Sequence, residues 1–222
     1  MMTNLFSIFD PTTTMNFSLS WVSMFIIFLI FPFQFWLIPT RHQMLINLIM
    51  NSLLKEFKIL INYSKSNLII FMSLFWLIMI NNLMGLFPYI FTATSHLSFC
   101  MSMSMTLWIS MIMFSIHNYM NDFLAHLMPQ GTPYILMPFM VIIEIISLII
   151  RPLTLAIRLT ANMIAGHLLM SLLGSSNQLI NNFMIFLVTI FSQFLLLILE
   201  LSVSMIQAYV FSILSALYSS EI

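Results

Sequence analysis

The chain has 222 residues, of which 61% are hydrophobic and only 5% charged, with six Lys and Arg against six Asp and Glu. A soluble domain carries about 25% charge, so a water-facing globular enzyme is excluded. So is intrinsic disorder, which needs low hydrophobicity and high net charge. Zero net charge without a basic run argues against nucleic acid as a partner. The single cysteine, Cys100, excludes an internal disulfide framework and any multi-cysteine metal or iron–sulfur site. What remains is an all-α polytopic membrane protein forming one membrane domain over residues 1–222; four Gly and no alternating ten-residue segments argue against an outer-membrane barrel.

A crossing helix needs about 20 apolar residues for a hydrocarbon core of roughly 30 Å. Residues 17–38 meet this without a charge and carry no cleavage-site pattern, so they are expected to form a retained span. Residues 42–62 differ. Asn47, Asn51, Lys55, Lys58 and Asn62 recur at helical steps on one face, and Ile46, Ile49, Leu53, Phe57 and Leu60 on another. That pattern predicts an amphipathic helix in the membrane interface. No charge occurs from Ser66 to Asn121, which predicts spans over 67–87 and 97–117 with a turn at Gly85–Pro88 and Thr92–Ser95. His117–Pro133 reads as a loop with a short helix. The segments 134–174 and 177–218 are each about 60 Å long if helical, about twice the bilayer core. They are expected to form a hairpin of two strongly tilted helices, with Pro152 as a kink and a turn at Gly174–Asn177.

Four of the six basic residues, Arg41, Lys55, Lys58 and Lys65, lie between the first two predicted spans, which places that loop on the inner side. The N-terminus is then outside, and five crossings put the C-terminus inside. No internal repeat argues for an inverted-repeat transporter.

The polar residues within the last two segments carry the functional information. Glu144, Arg151, Arg158 and His167 lie in the first, Gln193, Glu200 and Gln207 in the second. An ionisable group at a helix centre costs about 2.5–3.5 kcal/mol on insertion scales, so function is the default reading. Glu144, Arg151 and Arg158 fall at steps of seven and share a face. Ala161, Asn162 and Ala165 extend that face with small side chains, so a partner helix can approach closely. His167 points to the opposite side, with Thr160, Ser171 and Gly174. A hairpin brings Glu200 toward it. The His167–Glu200 pair then looks like a protonatable lining. Arg158, which does not release its proton, looks like a fixed cation offered to a carboxylate outside the chain. The competing reading is a structural ion pair of Arg158 with Glu144 or Glu200. For His167 the bland reading is an interhelical hydrogen bond.

The runs LAIRLTANMIAGHLL (155–169), LELSVSMIQAYVF (199–211), NNLMGLFPY (81–89) and FLAHLMPQGTP (123–133) resemble subunit a of the F-type ATP synthases, in its mitochondrial, insect-like form, over essentially the whole chain. The resemblance implies that the essential arginine is Arg158, that His167 and Glu200 line the outer proton half-channel, that Gln207 lies opposite the arginine, that Glu144 is near the matrix exit, and that Asn162 follows the arginine. It implies no role for Arg151. It also implies a ring of c-subunits as partner, each with one membrane carboxylate, other membrane and stator-stalk subunits, and membrane lipids. Protons would be the transported species. The expected place is the mitochondrial inner membrane, N-terminus on the intermembrane side and C-terminus in the matrix. No cofactor or metal is expected, and no Walker-type loop occurs. This reading makes the chain a stator, not an enzyme by itself. Two other classes remain for comparison. A respiratory-chain proton pump or antiporter-like module would carry Lys within several spans and internal repeats. A structural anchor would carry no intramembrane Arg–His–Glu set.

Overall fold

The computed structural model describes residues 5–12, 17–32, 34–61, 65–128, 131, 133–177 and 182–221. They form α1 (Ile26–Ile30), α2 (Arg41–Leu60), α3 (Lys65–Gly85), α4 (Leu97–Asn118), α5 (Met120–His126), α6 (Met137–Asn177) and α7 (Phe183–Glu221), with 3-10 turns at Leu5–Phe9, Leu19–Phe25 and Ala93–Ser95. No strand occurs among the described residues. Among the described residues, four helices are long and apolar enough to cross a membrane: Ser66–Gly85 of α3, all of α4 and α6, and Phe183–Ser220 of α7.

α3 is the pillar of the bundle. It is apolar on nearly all sides, as a helix covered over most of its surface must be, and it packs against α7, α2 and α1. Phe71, Met72, Leu74, Phe75, Trp76 and Ile78 of α3 are buried with Phe57 of α2, Leu155 and Leu159 of α6, and Ala208 and Phe211 of α7. α4 packs mainly on α6, and α6 on α7. Buried serines inside these helices satisfy themselves locally. Buried Ser115, Ser204, Ser212 and Ser215 each donate to the carbonyl three residues earlier, at 2.8–3.0 Å. This keeps hydroxyls satisfied where no water can reach.

The first predicted span, 17–38, is not one helix. Its helical stretch runs only Leu19–Ile30, and Phe31 is extended at φ −71°, ψ 116°. Pro32 is the cause: the residue before a proline is pushed out of the α region. At the other end of α2 the chain is set by a local device. The Thr40 backbone N–H donates to Gln43 Oε1 at 2.9 Å, a capping-box contact that starts the helix after Pro39.

α2 turns Leu53 and Phe57 into the core and leaves Asn47, Asn51, Lys55 and Lys58 exposed; Asn62 lies outside the described residues. Its inner face rests on α3 and α7, tied to α3 by a hydrogen bond from Trp76 Nε1 to Met50 Sδ. α6 runs without interruption through a buried Pro152. No turn occurs at Gly174–Asn177, because α6 continues to Asn177. Ser175 and Ser176 donate back to the Leu172 and Leu173 carbonyls at 2.8 Å each. α7 accordingly begins at Phe183, six residues after the expected start.

Phe57 is fully buried whereas Ile59 is 76% exposed. Phe57→Ala is expected to lower the unfolding free energy in detergent by about 3 kcal/mol, and Ile59→Ala to change it by no more than about 0.5 kcal/mol. Denaturant titration of the two variants measures the difference.

Candidate functional site

The site is built on the α6–α7 pair. Three contacts give its antiparallel register. The carboxylate of Glu200 lies over Gly166, Gln193 faces Gly174, and the Arg151 guanidinium sits 5.1 Å above the Tyr218 ring centroid. That register sets Arg158 level with residues 208–211 of α7, a span that includes Tyr209 and adjoins Gln207. Gln207, read as lying opposite the arginine, is half-buried.

Along one face of α6, Arg151 Nη2 lies 3.7 Å from Glu144 Oε1. The two charges are two turns apart, and long side chains close the gap. Arg158, two turns further, is exposed and forms no ion pair among the described residues. Glu144 is therefore paired with the arginine to which no role was assigned, and the structural-pair reading of Arg158 loses its first partner. It loses its second too, because Glu200 is seated on Gly166. Ala161, Asn162, Ala165 and Leu169 continue an exposed stripe from Arg158, while Leu155, Ala156, Leu159, Thr160, Met163 and Gly166 face the protein. α6 thus turns one face to its own chain and offers Arg158 from another.

The Glu200 carboxylate lies at Gly166, next in sequence to His167, and no hydrogen bond joins it to the imidazole. A Cβ placed at Gly166, the neighbour of His167, would lie 2.5 Å from the Glu200 carboxyl carbon. Only glycine lets the acid rest there. His167 Nε2 and Glu200 Oε1 are both buried without a hydrogen-bond partner among the described residues. The imidazole meets the edge of Phe9, centroids 6.2 Å apart. Buried polar atoms without partners are costly, and here two titratable groups share that condition beside one glycine. Water between them would satisfy both, and it would also carry protons.

Two features escaped sequence reasoning. The Glu144–Arg151 pair was visible as a spacing of seven, but spacing alone does not say which of three charges on a face will pair. The hydrogen bond from Tyr209 Oη to Glu56 Oε2, 2.8 Å, joins residues 153 apart in the chain, and nothing local announces it. Elsewhere His96 stacks on Phe91 and meets Trp21, at centroid distances of 5.1 Å each. No group of three metal-ligating side chains occurs among the described residues.

Gly166→Ala is expected to push the Glu200 carboxyl off its seat, and Gly174→Ala, whose nearest neighbour is Gln193 Nε2 at 3.9 Å, to disturb nothing. The rate of Glu200 labelling by a hydrophobic carbodiimide reads this directly: changed in the first variant, unchanged in the second.

The family model described as ATP synthase A chain matches residues 14–220. ATP synthase subunit a of Anopheles quadrimaculatus is 54% identical over 225 residues, that of Drosophila melanogaster 53% over 224, and that of Aedes aegypti 52% over 225, each covering the whole of both chains. An all-helical chain with four helices apolar enough to cross a membrane, matched end to end by these relatives, belongs to the ATP synthase subunit a family.

Proposed function

We propose that the chain is the stationary proton-conducting subunit of a mitochondrial inner-membrane ATP synthase, presenting Arg158 to the carboxylates of a rotating c-ring between two offset half-channels. The observation that carries this is the unpaired, exposed Arg158 on a stripe of small residues, on a different face of α6 from His167 and Glu200.

The mechanism follows from the cost of charge in lipid. A ring carboxylate facing hydrocarbon stays protonated, because its charged form is expensive there. Beside the Arg158 guanidinium the charged form is favoured, since an opposite charge within about 4–6 Å lowers a carboxyl pKa by about 1–3 units. The acid then releases its proton on the matrix side, by way of Glu144. Moving on, it takes a new proton from the outer path at His167 and Glu200. Arg158 never gives up its own proton, so it also blocks a direct route between the two paths. Gln207 and Asn162 flank the guanidinium and hold its hydrogen-bonding surroundings polar. A proton crosses only by riding the ring, and the membrane potential contributes about 2.3 kcal/mol per charge per 100 mV.

At about 60 Å each, α6 and α7 lie steeply tilted in the bilayer and follow the ring's circumference. The basic loop of Arg41, Lys55, Lys58 and Lys65 faces the matrix, with the N-terminus on the intermembrane side and the C-terminus in the matrix. The remaining exposed faces of the bundle meet lipid and the other membrane and stalk subunits. Nucleotide chemistry belongs to those partners.

Arg158→Gln is expected to abolish proton-driven ATP synthesis while the complex still assembles. The check is synthesis by energised membrane vesicles beside a native gel of the same membranes. Coupled synthesis surviving in this variant would refute the role.

A further inference from the structure

We propose that Tyr209 and Glu56 form a second proton-release relay, running from the Arg158 level of the hairpin to the surface helix. The inference rests on the function proposed above. Tyr209 Oη donates to Glu56 Oε2 at 2.8 Å, and Glu56 is exposed on α2. The register of the hairpin sets Tyr209 level with Arg158, one helix away. Neighbouring helix axes are about 8–10 Å apart. Glu144 is fourteen residues from Arg158 along α6, about 21 Å of helix. Tyr209 is therefore nearer than Glu144, along the hairpin, to the level at which a ring carboxylate ionises, and its partner acid is exposed.

The surroundings suit the task. Tyr209 ends an exposed stripe on α7 that includes Leu195, Ile198, Ser202 and Ile206, while Ala208 beside it is fully buried. Lys55 and Lys58 flank Glu56 on α2, yet neither forms an ion pair with it among the described residues. The acid is thus bonded through the phenol alone, with one oxygen left for water. In the transfer, the Tyr209 proton passes to Glu56 Oε2 as the phenol oxygen takes one from the hydronium ion formed on the hairpin side when the ring carboxylic acid ionises. Glu56 then releases its proton to bulk water. Tyr209 ends neutral and Glu56 ends as a carboxylate, so one proton has moved and nothing else has changed.

A structural tether and a relay are separable by chemistry. Glu56→Gln keeps an oxygen that accepts the Tyr209 hydrogen bond but cannot take up a proton. In energised vesicles containing the assembled complex, Glu56→Gln is expected to slow ATP synthesis roughly tenfold, short of the 100-fold or more of a sole acid–base group, because the Glu144 route remains. Glu56→Asp restores most of the rate, Tyr209→Phe slows it like Glu56→Gln, and the double variant Glu56→Gln, Glu144→Gln is slower than either single one. Wild-type synthesis in Glu56→Gln with loss only in Tyr209→Phe would make the bond a tether and overturn the relay. Arg158→Gln, run in parallel, separates the failures: if it abolishes synthesis while Glu56→Gln does not slow it, the relay falls and the proposed function stands.

Discussion

The proposed function depends on a permanent cation in an apolar helix, Arg158, that no acid among the described residues pairs with. Arg158 sits in α6 among Ile157, Leu159 and Thr160, where a charge costs about 2.5–3.5 kcal/mol on insertion scales. Each internal acid that might meet it is engaged elsewhere. Glu144 is held by Arg151, Arg151 is further held by Tyr218, and Glu200 rests on Gly166. On the function proposed here, the arginine left without an internal carboxylate is the one that a carboxylate from outside meets.

The rest of the architecture serves to keep this arrangement in register. α3, covered on most of its surface, carries α7 on one side and the inner face of α2 on another. Small residues set the close approaches: Gly166 under Glu200, Ala208 and Ala216 fully buried within α7's contact face. Serines bonding back along their own helices satisfy their hydroxyls within the core. The surface helix is more than a float on the membrane, because Phe57, Met50 and Glu56 attach it to the two central spans.

Much of this was legible in the sequence wherever the signal was periodic. The charge-free runs located α3 and α4, the steps of three and four in 42–62 located α2, and the steps of seven marked the Arg158 face. What failed was punctuation and long-range pairing. Pro32 cuts the first apolar run because it constrains Phe31, an effect that hydropathy averages away. Ser175 and Ser176 look like turn residues but extend α6 by bonding to its carbonyls. The pairing of Glu144 with Arg151 and of Glu56 with Tyr209 depends on rotamers and on helix packing, which spacing does not specify. The seat of Glu200 on Gly166 was foreshadowed only as a hairpin contact with the His167 neighbourhood.

The central claim is that the exposed Arg158 stripe is the surface that meets ring carboxylates. The most direct measurement is disulfide crosslinking in the assembled complex, with one cysteine at Asn162 or Ala165 and another beside the membrane carboxylate of the ring subunit. The account predicts a rapid crosslink from these positions and none from a cysteine at Met163, which is buried on the opposite side. A crosslink absent from Asn162 and Ala165 in a complex that still makes ATP would contradict it.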